Sequence, residues 1–386
     1  MRNSGSKRFR VKRIDLGVGL ALLVAWCAGT VAVASDVHAG SAHASPHSRS
    51  VIVHAKFGGF ILGYDIDRGG NEGILTEYVA GNGDNAVVAA EAFDQTTGKI
   101  IKVVAKKTNT QDDYVTDGIY NHVGVVDFQT EVGFVAKNHF LTMNPVGSNK
   151  FTGKWSLAIK KNYFLEGISN NKSESTVAVV QQSDVETVPF YIFSSNISTN
   201  TFGPQIPFTD GNIGATPLIG YNSRLDHGVL VGSNGSPTTN PLVAIVNLVK
   251  GTIREFTAVG VGNVLGLAVD PVTNIAVFTT QGGPFTPPMV EFYDLGKESG
   301  FGLQFPGSNV GGDVEFDPVH RLFVVIAGDG TNNSLFEYDA KGSLKNSLTG
   351  GPLNNLATCC VLNPARRIGF GLVGAGGFTS LQSFTY

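Results

Sequence analysis

The feature that most constrains the fold is a repeated pair of short apolar strands joined by a tight turn. Three of the turns begin with Asp or Asn followed by Pro, at Asp270, Asp317 and Asn363, which lie 47 and 46 residues apart. An Asp or Asn side chain can cap such a turn, and Pro presets φ at the next position. Related pairs around Asp94 and Asn222 extend the pattern. Short strands repeating at roughly 45 to 50 residues are typical of β-propeller blades.

Further short strands follow these pairs, and most of the first set end in Asp or Asn. Third strands are expected at 60–66, 122–128, 242–248, 289–295, 334–340 and 380–386, and fourth strands at 74–80, 133–140, 252–258 and 300–305. Four antiparallel strands per unit describe one blade. A helical solenoid would need apolar residues at a 3.6-residue period, and a β-sandwich would not produce the long repeat. Both are therefore disfavoured.

The sequence predicts an all-β chain that forms a single β-propeller of four-stranded blades. Seven blades are expected, from a partial unit at 51–81, a three-strand unit at 354–386, and full units at 82–140, 141–210, 211–260, 261–306 and 307–350. Six is the alternative, if the first and last segments complete one shared blade. Such sharing would also close the ring and remove exposed strand edges.

The N-terminal segment predicts export. Residues 1–34 combine basic residues, an apolar run over 16–33 and a small-x-small triplet at 32–34, which is the pattern of a secretory signal peptide. A retained membrane anchor is the alternative, because about 18 apolar residues can just span a bilayer. Residues 35–50 are expected to be a disordered polar spacer and 51–386 the propeller domain. The expected product is secreted or periplasmic, monomeric and free of the membrane once the signal is removed.

Charge and motifs exclude several classes of function. The net charge is −3 and no basic stripe follows the N-terminus, so nucleic acid is not an expected partner. No phosphate loop, dinucleotide fingerprint or nucleophile elbow occurs, and the histidines lack metal-ligand spacing. We therefore expect no cofactor and no metal. An electron-transfer quinoprotein is disfavoured, because the repeats lack a tryptophan-docking pattern and the chain has two Trp, Trp26 and Trp155.

Three acids are weak candidates for catalytic residues. Aligning the units on their turn residue places Asp313 where Gly266 and Cys359 lie, on an inner strand that lines the central channel. Glu315 and Glu91 are the other acids of this possible carboxylate cluster. General acid–base catalysis or cation binding would need them within reach of one ligand. An isolated acid, solvated or hydrogen-bonded, is the favoured alternative.

Two other segments have both a functional and a structural interpretation. Cys359 and Cys360 could form a vicinal disulfide in an oxidising compartment, but two buried thiols are favoured, since neighbouring strand residues point to opposite faces. Residues 65–73, with Asp65, Asp67 and Asn71, superficially resemble a calcium loop. Thr76 stands where that loop requires Glu, so a hairpin turn is favoured.

The repeat unit also resembles a known superfamily. The unit consists of an apolar strand, Asp-Pro-x-x-Arg or Asp-Pro-x-x-Asn as at 317–321 and 270–274, a second apolar strand, and a strand ending Tyr-Asp as at 293–294. This order of elements resembles the YVTN and lactonase-like propellers, and NHL-type propellers look similar. The resemblance covers most of residues 51–386. It implies a seven-bladed fold found in lactone-hydrolysing enzymes, ring-closing enzymes and binding proteins. No catalytic motif of the superfamily matches a position here.

Two functions remain open from the sequence. The first is a binding or scaffold protein that acts through loops on one propeller face, at 233–241, 281–288 and 328–334. Its partner would be a small molecule, a glycan or a protein. The second is a lactonase-like hydrolase or isomerase with its site at the mouth of the channel. This second function rests on the resemblance alone, and fold does not determine activity.

Overall fold

A computed structural model describes residues 50–386, except for sixteen gaps within that range. The gaps are 67–70, 81–85, 111–115, 119–123, 133–134, 144–150, 159–162, 171–175, 184–189, 197–200, 209–217, 223, 233–237, 308–311, 329–330 and 375–376. The predicted signal peptide and nearly all of the spacer lie outside the described residues. Within this part of the chain no helix is long and apolar enough to cross a bilayer.

The described strands form seven antiparallel sheets, which are the blades. Strand β1 is Ile52–His54. Blade 1 contains β2 (Phe60–Ile66), β3 (Glu72–Ala80), β4 (Ala86–Asp94) and β5 (Ile100–Thr110), and blade 2 contains β6 (Thr116–Gly118), β7 (Gly124–Val132), β8 (Val135–Met143) and β9 (Phe151–Ala158). Blade 3 contains β10 (Tyr163–Asn170), β11 (Thr176–Ser183), β12 (Phe190–Asn196), β13 (Thr201–Phe202) and β14 (Ile206–Phe208).

The remaining four blades follow the repeat closely. Blade 4 contains β15 (Leu218–Asn222), β16 (His227–Gly232), β17 (Leu242–Asn247) and β18 (Thr252–Thr257), and blade 5 contains β19 (Val264–Asp270), β20 (Ile275–Thr280), β21 (Met289–Asp294) and β22 (Ser299–Gln304). Blade 6 contains β23 (Val314–Asp317), β24 (Leu322–Gly328), β25 (Asn333–Tyr338) and β26 (Leu344–Thr349). Blade 7 contains β27 (Leu356–Asn363), β28 (Ile368–Val373) and β29 (Ser380–Thr385), preceded by a short 3₁₀ helix at Gly351–Asn355.

The blades close into a ring. The innermost strands contact one another in the cycle β2, β6, β10, β15, β19, β23, β27 and back to β2. Strand β1 pairs with β29, Val53 opposite Leu381, and becomes the outermost strand of blade 7. The prediction of an all-β propeller is confirmed. The two ends of the chain do share a blade, and the described sheets still number seven.

The hydrophobic core lies between neighbouring blades. In β17, Val243 and Ile245 pack with residues of blade 5, whereas Ala244 and Val246 pack with blade 3. Successive strand residues point to opposite faces, so a strand buried on both sides must be apolar at every position. This explains the continuous apolar runs of the repeat.

Antiparallel pairing gives the ring two faces. The turn face carries the turns after the first and third strands of each blade, including 222–226, 247–251, 270–274, 294–298, 317–321, 339–343 and 363–367. The connector face carries the loops after the second strands and the links between blades, including 55–59, 238–241, 258–263, 281–288, 350–355 and 377–379. The inner strands start at the connector face and end at the turn face.

The repeated Asp-Pro turns join neighbouring blades on the turn face. The residue four places after the turn Asp has a positive φ, 61° at both Asn274 and Arg321. The Arg321 guanidinium donates to the buried carboxylate of Asp270 in the preceding blade. Arg367 reaches Asp317 in the same way, with Nη1 and Oδ2 3.6 Å apart. The repeated residues therefore form both a turn and, through Arg321 and Arg367, ion pairs between neighbouring blades.

The predicted blade boundaries were wrong in the first half of the chain. Residues 60–66 form the first strand of blade 1 rather than a third strand, and Asp94 begins the turn between the third and fourth strands. Both kinds of turn use the same cap: Asp94 Oδ1 accepts N–H bonds from Thr96 at 2.9 Å and Thr97 at 2.7 Å. The turn chemistry alone does not distinguish them. The blades span 60–110, 116–158 and 163–208 in place of the predicted 82–140 and 141–210.

Candidate functional site

The link between blades 4 and 5, residues 258–263, is held from one side by a single amide. Asn240 Nδ2 lies 3.2 Å from the carbonyl oxygen of Ala258, 3.1 Å from that of Val259 and 2.9 Å from that of Gly260. Its two N–H groups are therefore shared among three acceptors. One side chain thus fixes three consecutive peptide groups at the connector face.

The same link is held from the other side by a buried carboxylate on the third strand of blade 5. Glu291 Oε2 accepts the N–H of Val259 at 2.7 Å, and Oε1 accepts that of Gly260 at 2.8 Å. Burial raises the pKa of Glu291, and the two N–H donors oppose that rise. A Cβ atom on Gly260 would lie 2.5 Å from Oε1, so a larger residue here would displace the carboxylate.

The loop 281–288 lies next to this link and is tied to it. Gly282 N donates to the Val261 carbonyl at 3.1 Å, and Gly283 N donates to the Thr286 carbonyl at 2.8 Å, which closes a tight turn. Three prolines, at 284, 287 and 288, restrict φ within the loop. The loop is therefore ordered by its own backbone bonds and by its neighbour.

An aromatic side chain stands at the tip of this loop. Phe285 is 99% exposed, and Val259 on the adjacent link is 54% exposed. A large apolar side chain that stays in water buries no surface and so contributes nothing to the stability of the fold. We call residues 258–263 and 281–288 the connector platform. It presents a preordered apolar group to any molecule that docks there.

Side-chain hydrogen bonds to the backbone also hold other links between blades. Asn333 Nδ2 donates to the carbonyls of Leu353 at 2.8 Å and Leu356 at 2.9 Å, between blades 6 and 7. Between blades 7 and 1, Glu77 Oε2 accepts the N–H of Phe57 at 3.1 Å. Fastened links are therefore a recurring device of this fold. The exposed Phe285 is what distinguishes the connector platform.

Glu91 belongs to this structural device. It lies on β4, the third strand of blade 1, and its Oε2 accepts the N–H of Lys56 at 3.0 Å. Burial, with the charge of Glu77 nearby, raises the pKa of Glu91 to about 7. The structure does not bring it together with Asp313 and Glu315, which lie at the inner strand of blade 6.

Asp313 directly precedes β23, the inner strand of blade 6, and Glu315 is the second residue of that strand, near the connector face. Asp313 Oδ1 accepts the N–H of Val314 at 2.8 Å, and the carboxyl also accepts the backbone N–H of Cys360 in blade 7. Burial, with the neighbouring charge of Glu315, raises the pKa of Asp313 well above its usual range. A Cβ atom on Gly266 would lie 2.4 Å from Asp313 Oδ1, so glycine there lets the inner strands approach closely.

Cys360 is buried and disulfide-bonded. The pairing of β27 with β28 shifts register between Thr358 and Val361, so both cysteines fall within a β-bulge. A bulge alters the direction of successive side chains relative to a regular strand. The expectation of a free thiol at Cys360 was therefore wrong, and its pairing with Cys359 stays a prediction.

The other singled-out residues have local partners. Asn71 Nδ2 donates to Asp94 Oδ2 at 2.6 Å, which ties the segment 65–73 to the adjoining turn, and Asp67 lies outside the described residues. His54, His227 and His320 bond Ser380, Asn247 and Asp317 respectively, on three different blades. Among the residues that the structure describes, no three or more His, Cys, Asp or Glu side chains are placed to hold a metal ion.

Sequence reasoning missed the residues that build the connector platform. The loop 281–288 was selected for its polarity, yet its distinctive residue is Phe285. Two glycines and three prolines around one aromatic residue were a usable signal of a rigid, tight loop. The roles of Asn240 and Glu291 depend on contacts between neighbouring blades, which no local pattern shows.

Comparisons with known proteins support the fold. No protein-family model and no curated protein matches the chain. A hydrazine synthase from Kuenenia stuttgartiensis is similar in structure, with a TM-score of 0.59 at 10% identity, over 85% of this chain and 96% of that one. The Dos1 propeller gives a TM-score of 0.56 at 12% identity, over 86% of this chain and 82% of that one. At these identities the likeness shows a β-propeller and nothing about activity.

Proposed function

We propose that this chain is an exported binding or scaffold protein that engages its partner through the connector platform. The observation that carries the proposal is Phe285, 99% exposed on a loop that is already ordered. The propeller fold suits such a role, because rigid blades can present loops from one face. We further propose membership of the YVTN and lactonase-like group, supported by the Asp-Pro turns and the strands ending Tyr-Asp.

The energetic case rests on preorganisation. Burying a phenylalanine side chain contributes about 1.5–3 kcal/mol. Ordering a flexible loop on binding would offset much of that gain, whereas a loop fixed beforehand does not incur this cost. The bonds from Asn240 and Glu291 hold the adjoining link in place. A partner with an apolar pocket would therefore gain most of the free energy of burying Phe285.

The test starts with a photo-crosslinking amino acid placed at Phe285 in the producing cell. The matched control is the same substitution at Val249, which is 70% exposed on the turn face. A crosslinked species is expected at position 285 and none at 249. Mass spectrometry then identifies the partner, which is purified for direct binding measurements.

The affinity for the purified partner decides the outcome. Phe285→Ala should weaken binding by about 30-fold, the effect of a residue contributing about 2 kcal/mol at the centre of an interface. Val249→Ala should leave the affinity within about twofold of the wild type. Wild-type affinity for Phe285→Ala, or crosslinking at both positions, would contradict the proposed use of the connector platform.

A second function, a lactonase-like hydrolase or isomerase, is favoured by one observation. Asp313 directly precedes the inner strand of blade 6 and Glu315 lies on it, and burial raises the pKa of Asp313, the direction that a general acid requires. The test is turnover of a panel of lactones by the wild type and by Asp313→Asn. Turnover lost in Asp313→Asn supports this alternative, and absent or unaffected turnover removes it.

A further inference from the structure

A small pocket opens on the side of blade 4, towards the turn face. Its volume is about 140 Å³, and it is lined by His227, Ile245, Asn247, Lys250, Thr252 and Arg254. Strand register places His227, Asn247 and Thr252 opposite one another in a row across β16, β17 and β18. Ile245 and Arg254 face each other two residues further along. The lining is therefore one continuous patch of a single blade.

Hydrogen bonding fixes the proton on the histidine of this pocket. Asn247 Oδ1 accepts the N–H groups of Val249 at 3.1 Å and Lys250 at 2.7 Å, so its Nδ2 is the group that donates to His227 Nε2, 3.0 Å away. His227 Nε2 is then an acceptor, and the neutral ring carries its proton on Nδ1. The side chains that bring donors to the pocket lining are thus Lys250, Thr252 and Arg254.

Two polar positions of this pocket are apolar in blade 5. Ile275 stands in place of His227, and Phe301 in place of Arg254. Phe301 stacks on Phe292, with ring centroids 5.3 Å apart. His227 and Arg254 are therefore the pocket residues that depart from the blade 5 pattern, whereas Asn247 caps its turn as Asp294 does in blade 5.

The lysine of this turn also differs between the two blades. Lys297, three residues after Asp294, forms an ion pair with that carboxylate at 2.9 Å. Lys250 occupies the same turn position in blade 4, but Asn247 stands in place of the acid. Within the described residues Lys250 forms no ion pair. The charge of Lys297 is therefore neutralised by an ion pair in blade 5, whereas Lys250 in blade 4 has no acidic partner among the described residues.

The remaining charges around the pocket are partly balanced. Arg254 pairs through Nη1 with Glu298 of blade 5, which leaves its other guanidinium N–H groups without a partner among the described residues. Asp226 accepts the Tyr221 hydroxyl at 2.8 Å. Burial, then the positive charges of Arg254 and Lys250, lower the pKa of His227, although Asp226 opposes them. Glu298 and Asp226 therefore offset part of the positive charge around the pocket, and Lys250 is the cation that no described carboxylate pairs with.

We propose that this pocket binds an oxyanion, either a carboxylate or a sulfate or phosphate group. Lys250 supplies the charge, and the free edge of Arg254 and the Thr252 hydroxyl supply directed donors. Charge-assisted hydrogen bonds of this kind are the stronger class, and guanidinium matches oxyanion geometry. The site lies on the turn-face side of blade 4 and is independent of the connector platform.

The test titrates the purified protein with inorganic phosphate, sulfate and acetate in separate series. Binding is followed by the nitrogen signals of the His227 imidazole and by calorimetry. We expect saturable binding of at least one oxyanion, and the three series distinguish carboxylate from tetrahedral anions. Lys250→Met should weaken that binding by about tenfold or more. The matched control Lys297→Met, at the same turn position in blade 5, should change it by less than about twofold.

Two results would overturn the site. One is a His227 signal that does not respond to any of the three anions up to about 50 mM, which corresponds to binding weaker than about 2 kcal/mol. The other is an equal loss in Lys250→Met and Lys297→Met, which would indicate general charge attraction. Both lysines are on surface turns, so neither variant is expected to unfold the blade.

Discussion

At the scale of single residues, buried glutamates in this propeller hold backbone N–H groups between blades. Glu91 and Glu291 occupy matching places on third strands but differ in partners. Glu291 accepts two N–H groups with its two oxygens, whereas Glu91 Oε1 has no hydrogen-bond partner among the residues that the structure describes. The same substitution is therefore expected to have opposite effects at the two positions.

Glu91→Gln should flatten the dependence of stability on pH. The pKa of Glu91 is about 7 in the folded protein against 4.5 for an ordinary glutamate. The folded state thus binds more protons between these values, and the unfolding free energy falls as the pH rises from about 4.5 to about 7. In the wild type this fall in unfolding free energy is on the order of 2 kcal/mol and is complete above pH 7. Glu91→Gln removes the titrating group and should therefore abolish the fall. Denaturant unfolding at pH 5 and pH 8 measures the difference.

Glu291→Gln serves as the contrast. One of its two backbone N–H partners would face an amide NH₂ group, which cannot accept. A buried donor left without an acceptor costs about 1–3 kcal/mol. We expect Glu291→Gln to lose stability of that size at pH 8, the pH at which Glu91→Gln is expected to gain stability. Equal effects of the two substitutions, in either direction, would refute the assignment of their partners.

Cys360 is expected to pair with Cys359 as a vicinal disulfide. Both residues lie in one bulge of β27, and Cys27 falls within the predicted signal peptide. Alkylation of the denatured protein without reductant should leave the tryptic peptide 346–366 unlabelled, two hydrogens lighter than its reduced form. Reductant should then allow two alkylations on that same peptide. Labelling without reductant would show that the pair is not oxidised.

At the scale of strands and loops, the fastened links make the connector face rigid. Asn240→Ala removes the donors to three carbonyls and should cost about 1–2 kcal/mol of stability. The more specific readout is hydrogen exchange, which should speed up in residues 258–263 before the blades open. Asn346→Ala is the control, because that half-buried side chain bonds only the adjacent Ser347 N–H in the described residues. Equal hydrogen-exchange rates in both variants would contradict the role of Asn240 in holding residues 258–263.

Sequence patterns identified these elements well in the last blades and poorly in the first. The turns predicted at Asp270, Asp317 and Asn363 join β19 to β20, β23 to β24 and β27 to β28. Those units keep both the Asp-Pro or Asn-Pro turn and the inter-blade arginine or asparagine. In blade 1 the Asp94 turn has the same cap but joins the third and fourth strands. The cap is a property of any tight turn, so it could not set the order of strands.

The candidate site was only partly accessible from sequence for the same reason. Alignment on the turn residue predicted Asp313 on an inner strand, and the structure places it directly before β23, at the connector end of that strand. Phe285 and Glu291 act through neighbours in an adjacent blade or loop, and their roles depend on how blades pack. Contacts between repeats are the part of a propeller that a pattern within one repeat does not contain.

At the scale of the whole molecule, both ends of the chain complete one blade. Val53 and Leu381, opposite each other in β1 and β29, are fully buried. Ser383 N donates to the Val51 carbonyl at 2.8 Å, which extends the pairing. Closing the ring covers the edge of β29, which would otherwise offer unpaired backbone groups to another chain.

The most direct test of this closed ring is a disulfide between its two ends. His54 and Ser380 are opposite in register, and His54 Nδ1 lies 2.8 Å from Ser380 Oγ. Mild oxidation of the His54→Cys, Ser380→Cys variant should form a bond that closes nearly the whole chain and shifts its mobility on a non-reducing gel. His54→Cys with Ser347→Cys, on the outer strand of blade 6, should form none. A bond in the second variant, or none in the first, would contradict the seven-bladed ring closed by β1.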